Sequence, residues 1–126
     1  MTGTMTGRTP RVLICDDAPG YRLLTQTVLE EAGFEVAGTA ASWEEAFERA
    51  SELRPDVMLL DLWLPEFDEA AIRRVCEQAD GCLVAVVSAL DEPEARRMVA
   101  DVPGVDMVLS KRESPTVLVE ALRKRL

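Results

Sequence analysis

The strongest constraint on the fold is a repeated alternation between short, continuous apolar runs and segments with helical periodicity. Such runs begin near residues 12, 34, 57, 83 and 105, and a helical segment follows each of them. Strands that are apolar on both faces are typical of a parallel sheet covered by helices on both sides. Because crossovers between parallel strands are right-handed, the alternation predicts a doubly wound α/β domain. Among the doubly wound types we choose the strand order 2-1-3-4-5, although periodicity alone does not establish which strands are neighbours.

Signals at helix ends support these boundaries. Ser42 and Glu45 form a capping box, Gly33 is a stop signal, and Ser114-Pro115 is typical of a helix start. The predicted strands span residues 12–15, 34–39, 57–60, 83–87 and 105–109, and the helices lie at about 18–32, 42–54, 72–79, 92–100 and from 114 onward. The residues expected to face inward are Leu24, Val28, Trp43, Ala46, Phe47, Ala50, Leu53, Ile72, Val75, Cys76, Ala79, Val117, Leu118, Ala121 and Leu122.

Composition limits the classes of function. The 126 residues suit one domain, and the net charge of −9 makes direct nucleic-acid binding unfavourable. Apolar runs are far shorter than the ~20 residues that cross a bilayer, and no leader is evident, so a cytoplasmic protein with no membrane association is expected. Three cysteines without paired spacing and no histidine exclude disulfide scaffolds and the usual zinc sites. Residues 1–10 are predicted to be a disordered tail, and residues 11–126 the domain.

Polar residues stand where the predicted strands end. Asp16 and Asp17 follow the first strand, Asp61 the third, Ser88 the fourth and Lys111 the fifth. Ligands of open parallel sheets bind outside the carboxyl ends of the strands. If the first and third strands are neighbours, three carboxylates converge there, and their mutual repulsion favours a hard divalent cation such as Mg²⁺. Each residue alone has an ordinary interpretation as a cap, a turn or a solvated charge, so the combination carries the prediction.

A carboxylate in such a site can also be a nucleophile toward phosphorus, giving an aspartyl phosphate. Phosphoryl transfer depends mostly on positioning and charge neutralisation. Lys111 offers a cation for this chemistry, and Ser88 offers a hydroxyl that can donate to a phosphoryl oxygen. The set therefore indicates phosphoryl transfer to an aspartate.

From about residue 11 to 126, the sequence resembles the receiver domain of bacterial two-component response regulators, which have a flavodoxin-like fold. The motifs that carry the resemblance are VLICDD, PDVMLLDLWLP, VVSA and GVDMVLSK. The resemblance implies that Asp61 accepts a phosphoryl group from a histidine kinase or a phosphotransfer protein. It implies that Mg²⁺ is bound by Asp17, Asp61 and the backbone carbonyl of Trp63, with Asp16 close by. Ser88 would then be the switch hydroxyl and Lys111 the cation that pairs with the phosphate.

Three positions depart from the family pattern. Arg112 follows Lys111 where the family usually has proline, often after a cis peptide bond, so a more mobile loop is expected. Val108 stands where an aromatic switch residue is frequent, which excludes signalling by ring rotation. Glu69 replaces a frequent glycine in the loop after Asp61, which predicts a different backbone path.

Three hypotheses about the function follow from these residues. The first is a switch that phosphorylation controls and that changes the face built by the fourth helix, the fifth strand and the fifth helix. Val119 and Leu126 are expected to add apolar surface to this face. The face would bind a downstream target, an output domain or, in a phosphorylation-dependent homodimer, a second copy of the chain. The second is a pseudo-receiver interaction module that is not phosphorylated in the cell. The third is an enzyme that uses an aspartyl intermediate, but no histidine and no insertion for a cap support it. The chain is interpreted as a single-domain regulator or as a fragment of a longer one.

Trp63 and Leu90 lie two residues after Asp61 and Ser88. They either cap the rim of the core or shield an acyl phosphate from water, and the first interpretation is favoured. Cys15 and Cys76 are expected in the core. Cys82 is expected to be more exposed, but no basic neighbour marks it as reactive.

Overall fold

The computed structural model describes residues 9–66 and 68–126, so most of the predicted tail over residues 1–10 lies outside the described residues. Five parallel strands form one sheet in the order 2-1-3-4-5, with five helices between and after them, as predicted. The strands are β1 (Arg11–Cys15), β2 (Glu35–Ala40), β3 (Val57–Asp61), β4 (Leu83–Ser88) and β5 (Met107–Ser110), and the helices are α1 (Pro19–Glu31), α2 (Trp43–Leu53), α3 (Glu69–Gln78), α4 (Glu92–Met98) and α5 (Pro115–Arg125).

The register of the sheet brings the carboxyl ends of the inner strands to one edge. Cys15 of β1 pairs with Leu60 of β3, one residue before Asp61. Asp61 pairs with Val87 of β4, next to Ser88, and Ser88 pairs with Ser110 of β5. The residues that follow these positions therefore meet above a single edge of the sheet.

Each face of the sheet packs against its own layer of helices. Leu13 and Cys15 point to the layer that contains α2, α3 and α4, whereas Val12 and Ile14 point to the layer that contains α1 and α5. Successive residues of a strand point to opposite faces, which is why the inner strands β1, β3 and β4 are apolar along most of their length. Fully burying each large side chain contributes about 1.5–3 kcal/mol, so both layers contribute to holding the sheet.

The capping signals form as predicted at α2. The amide of Glu45 donates to Oγ of Ser42 at 3.1 Å, while the Glu45 carboxylate accepts from the amide of Ala41 at 2.8 Å. Gly33 follows α1 with a φ of +93°, a left-handed conformation that glycine adopts without strain. Pro115 is the first residue of α5, as predicted, although Ser114 makes no side-chain cap bond.

Three predicted side-chain orientations are wrong. Leu24 of α1 is 48% exposed and Val117 of α5 is 39% exposed. The inward stripe of α1 instead runs through Thr25 and Leu29, about one residue further along the helix. Conversely, Val119 is buried in the core and adds no apolar surface. An error of one residue turns a helical side chain by about 100°, so short amphipathic helices are easily assigned the wrong face.

Strand and helix boundaries differ from the prediction by one or two residues, except that α3 begins at Glu69, three residues earlier than predicted. β2 runs one residue later than predicted, and β5 begins at Met107 rather than Val105. Phe34 is nevertheless buried under α1 and α5. Within the described residues, no helix has both the length and the apolar character that a membrane crossing requires.

Candidate functional site

Four of the predicted site residues stand at the carboxyl edge of the sheet. Asp16 directly follows β1 and Asp61 is the last residue of β3, and both are buried. Ser88 is the last residue of β4 and is fully buried. Lys111 directly follows β5, and its side chain is 16% exposed. The ends of β1, β3, β4 and β5 thus each supply one polar side chain to the same small region.

Asp16, Asp17 and Asp61 can together offer oxygen ligands to one cation. One carboxylate oxygen from each residue lies within 4.8 Å of the other two. Asp16 and Asp61 are buried, whereas Asp17 is exposed, so the cluster opens to solvent on one side. A site made only of oxygen donors, with room for water, fits Mg²⁺. Because the three negative charges repel one another, a divalent cation would relieve a real electrostatic cost.

The Lys111 ammonium neutralises part of this negative charge. Its Nζ lies 2.7 Å from Oδ2 of Asp16 and 3.2 Å from Oδ2 of Asp61. The backbone amide of Lys111 donates to the carbonyl of Ser88 at 2.7 Å, which fixes the start of the loop after β5. The lysine therefore bridges two buried carboxylates that belong to neighbouring strands.

The other oxygen of each buried carboxylate is held by the backbone. Oδ1 of Asp16 accepts from the amide of Ala18 at 2.8 Å, and Oδ1 of Asp61 accepts from the amide of Trp63 at 3.0 Å. Both bonds span two residues, as in Asx turns. They fix the orientation of each carboxylate and leave its Oδ2 directed toward Lys111.

These contacts shift two pKa values in the site. Burial raises the pKa of Asp61 above its usual value, and the amide of Trp63 and the charge of Lys111 oppose this rise without cancelling it. For Lys111, burial alone would lower the pKa, but the hydrogen bond to Asp16 and the charges of Asp61 and Asp16 outweigh it, so the pKa is raised. Lys111 is therefore charged at neutral pH, while ionised Asp61 carries an electrostatic cost.

The predicted switch hydroxyl, Ser88, accepts a hydrogen bond from a local backbone amide. The amide of Leu90 donates to Oγ of Ser88 at 3.1 Å, and the carbonyl of Leu90 accepts from Oγ of Ser110 at 3.2 Å. Oγ of Ser110 in turn accepts from the amide of Arg112 at 3.1 Å. We call this chain of contacts, from Ser88 through Leu90 and Ser110 to Arg112, the loop tether.

The loop tether explains how the chain accommodates the missing proline. Proline has no amide hydrogen, whereas Arg112 uses its own to bond Ser110, and the peptide bond between Lys111 and Arg112 is trans. Val108, which stands where the family often has an aromatic switch residue, is buried in the core. Glu69 is the first residue of α3, after the N-cap Asp68, where a negative charge is favourable.

Sequence reasoning missed two residues of α1 that border the site. The Tyr21 ring lies beside Lys111, with Nζ 4.4 Å from the ring centroid. A guanidinium nitrogen of Arg22 donates to the backbone carbonyl of Asp16 at 2.9 Å. Both residues lie in the first turn of a helix that begins at the carboxyl edge of the sheet, and this position could have indicated that they lie close to the site. Trp63 is 47% exposed, whereas Leu90 is partly buried and packs against the core.

Together, the fold and the site define a class: a doubly wound α/β domain with a cluster of three carboxylates, two of which are bridged by a lysine. The pattern of the response regulator receiver domain matches residues 12–123, and the chain belongs to this family of two-component signalling proteins. It is 35% identical over 115 residues to the chemotaxis protein CheY of Thermotoga maritima, covering 90% of this chain and 95% of that protein. The resemblance identified from the motifs is thus confirmed.

Solved structures of response regulators have the same fold as this chain. The signal receiver domain of the putative response regulator NarL from Mycobacterium tuberculosis superposes with a TM-score of 0.80 at 29% identity, covering 92% of this chain and 94% of that one. A response regulator from Thermotoga maritima gives 0.78 at 27% identity, with 92% and 96% covered. A protein-glutamate methylesterase/protein-glutamine glutaminase of Geobacter metallireducens is 40% identical over 86 residues, which cover 67% of this chain but 25% of that protein.

Proposed function

We propose that residues 11–126 form a phosphoacceptor switch of a two-component phosphorelay, in which Asp61 accepts a phosphoryl group. The observation that carries the proposal is the convergence of Asp16, Asp17 and Asp61 with the Lys111 ammonium at one edge of the sheet. A histidine kinase or a phosphotransfer protein would be the donor. The family and the geometry both support this chemistry.

The proposed reaction uses Oδ2 of Asp61 as the nucleophile. The other oxygen, Oδ1, accepts a hydrogen bond from the amide of Trp63, which keeps the carboxylate oriented. Oδ2 forms a bond to phosphorus while the bond from phosphorus to the donor breaks, either to a histidine nitrogen or to the acyl oxygen of a small donor. The leaving group departs with the electron pair of that bond. Lys111 then pairs with a phosphoryl oxygen in place of the carboxylate charge that the reaction consumes.

Asp16, Asp17 and Asp61, together with the backbone carbonyl of Trp63, would hold Mg²⁺. When bound, Mg²⁺ would supply charge neutralisation for the phosphoryl oxygens. The three carboxylates fit the ion because their oxygens already lie within 4.8 Å of one another and one side of the cluster is open. A cation bound there would share the negative charge of Asp16 and Asp61 with the Lys111 ammonium, whose Nζ lies 2.7 Å and 3.2 Å from their Oδ2 atoms.

Ser88 would be the switch hydroxyl, and the loop tether would pass its movement on. A hydroxyl that turns toward a phosphoryl oxygen displaces the Leu90 amide that it now accepts from. Because the Leu90 carbonyl is bonded to Ser110, the movement reaches β5 and the loop before α5. This route changes the face built by α4, β5 and α5 without a rotating ring at Val108. That face would contact a downstream protein, an output domain or a second copy of the chain.

The direct test is incubation with acetyl phosphate and Mg²⁺, followed by intact-mass measurement. We expect one phosphoryl group on the wild type and none on Asp61→Asn or without Mg²⁺. Acetyl phosphate tests the chemistry without a cognate kinase, since the small donor needs no docking surface. A wild type that binds no Mg²⁺ and gains no phosphoryl group would instead favour the pseudo-receiver alternative.

A further inference from the structure

Tyr21 is the one aromatic side chain, among the described residues, that stacks on a site lysine. Nζ of Lys111 lies 4.4 Å from the centroid of the Tyr21 ring. This distance is within the range of a cation–π interaction, which strengthens when the cation is partly desolvated. Both side chains are partly buried, since Lys111 is only 16% exposed and Tyr21 has intermediate exposure. Burial in turn raises the pKa of the Tyr21 phenol.

The ring is held in a fixed position relative to the buried carboxylates. Tyr21 belongs to the first turn of α1, whose start is bonded to Asp16 twice. The amide of Ala18 donates to Oδ1 of Asp16, and the guanidinium of Arg22 donates to its carbonyl. The helix therefore carries the ring at a set distance from the same carboxylate that binds Lys111.

Among the described residues, the Lys111 ammonium has three contacts, and phosphorylation with Mg²⁺ would change two of them. Its ion pair with Asp16 would compete with a bound cation, and its ion pair with Asp61 would be lost when Oδ2 becomes bonded to phosphorus. The contact with the Tyr21 ring involves neither the metal ligands nor the nucleophile. The ring can therefore hold the ammonium near the site in every state.

We propose that Tyr21 is a positioning residue, which holds the Lys111 ammonium at the mouth of the acidic cluster so that it meets the incoming phosphoryl group. This inference rests on the proposed function. According to this proposal, the first turn of α1 affects the reaction by holding Lys111, and Tyr21 does not contact the phosphorus atom.

The proposal predicts two effects of opposite sign for Tyr21→Leu, which keeps an apolar side chain but removes the π face. First, Mg²⁺ should bind about twofold to fivefold more tightly, because Lys111 competes less strongly for the carboxylates. Second, phosphorylation by acetyl phosphate at saturating Mg²⁺ should slow by about the same factor, because the ammonium is less well placed. General damage to the fold would weaken both properties together.

The test measures Mg²⁺ affinity by titration calorimetry and the initial phosphorylation rate by intact mass. Tyr21→Phe retains the ring and should rescue both values, whereas Leu23→Ala, on an exposed position of the same helix, controls for helix stability. The effects of Tyr21→Leu should disappear in a Lys111→Gln background, because the ring acts through the lysine.

Several outcomes would overturn the proposal. These are wild-type values in Tyr21→Leu, failure of Tyr21→Phe to rescue, or an undiminished effect of Tyr21→Leu in the Lys111→Gln background. If the wild type binds Mg²⁺ but gains no phosphoryl group, the proposed function fails, and the ring's part in phosphorylation fails with it. The calorimetric measurement then still decides whether Tyr21 holds Lys111.

Discussion

Asp16 and Asp61 share a single cation, since Oδ2 of each lies within 3.2 Å of Nζ of Lys111. Asp16 directly follows β1 and Asp61 is the last residue of the neighbouring strand β3, so the shared ammonium links the two strands at the carboxyl edge of the sheet. One positive charge against the three carboxylates of the cluster leaves the site short of cations. The site is thus electrostatically costly in the metal-free protein and ready to accept positive charge.

The first prediction follows from this imbalance. In metal-free buffer, Asp61→Asn should raise the melting temperature by a few degrees, because it removes a buried charge whose ionisation is disfavoured. The amide oxygen of asparagine can still accept the hydrogen bond from Trp63. Mg²⁺ should stabilise the wild type more than this variant. Scanning calorimetry with and without Mg²⁺ measures both effects.

Glu120→Gln provides the matched control, because it removes one negative charge from an exposed position of α5. It should change the melting temperature little and leave stabilisation by Mg²⁺ intact. A lower melting temperature for Asp61→Asn than for the wild type would show that the ionised carboxylate stabilises the site.

The second prediction concerns the exposed Trp63 and the half-buried Leu90. If these side chains shield the acyl phosphate from water, a Trp63→Ala, Leu90→Ala double variant should hydrolyse it faster. An effect of about tenfold corresponds to about 1.4 kcal/mol of activation free energy. The measurement is the decay of the phosphorylated mass after removal of acetyl phosphate. An unchanged lifetime would leave these residues with no part in protecting the phosphate.

The third prediction concerns the loop tether. Ser110→Ala removes the donor to the Leu90 carbonyl and the acceptor for the Arg112 amide, so it should lower the free energy of unfolding by about 1–2 kcal/mol. Hydrogen exchange of the Arg112 amide should become faster because its acceptor is lost. Ser51→Ala, at an exposed position of α2, is the control and should be nearly neutral. Unchanged exchange at Arg112 would contradict the tether.

The fourth prediction concerns the thiols. Burial raises the pKa of Cys82 to about 12 and that of Cys76 to about 11, and it raises the pKa of Cys15 as well. At pH 8, alkylation of Cys82 should be roughly a thousandfold slower in the folded protein than in urea, since only the thiolate reacts. Mass spectrometry after timed iodoacetamide treatment measures this. Rapid labelling of folded protein at Cys82 would contradict it.

The same pKa shifts predict a loss of stability at high pH. The pKa of a cysteine thiol in the unfolded chain is 9.0. Above this pH, unfolded molecules therefore lose thiol protons that the folded protein retains. The free energy of unfolding should therefore fall as the pH rises from about 9 toward the folded pKa values, and it should be insensitive to these thiols below pH 9. Replacing Cys82 with alanine should reduce this dependence, as urea titrations at several pH values can determine.

The layers of the fold and the residue types of the site follow from the amino-acid sequence. Continuous apolar strands can be buried only between two layers of helices, and the residues that follow them reach the carboxyl edge whatever the details of packing. The sequence therefore predicts that Asp16, Asp61, Ser88 and Lys111 lie at one edge of the sheet. The confirmed strand order was a choice among doubly wound types, because periodicity carries no information about strand neighbours.

Tertiary structure decided what depends on distances between separate elements. The contact of Tyr21 with Lys111 joins residues 90 positions apart and depends on how α1 packs beside the loop after β5. The loop tether depends equally on the pairing of β4 with β5. The exposure of Leu24 and Val117 was decided by helix rotation, since a shift of about 100° separates neighbouring residues. Sequence patterns specify which residues are apolar or charged, whereas packing sets the rotation and spacing that bring them into contact.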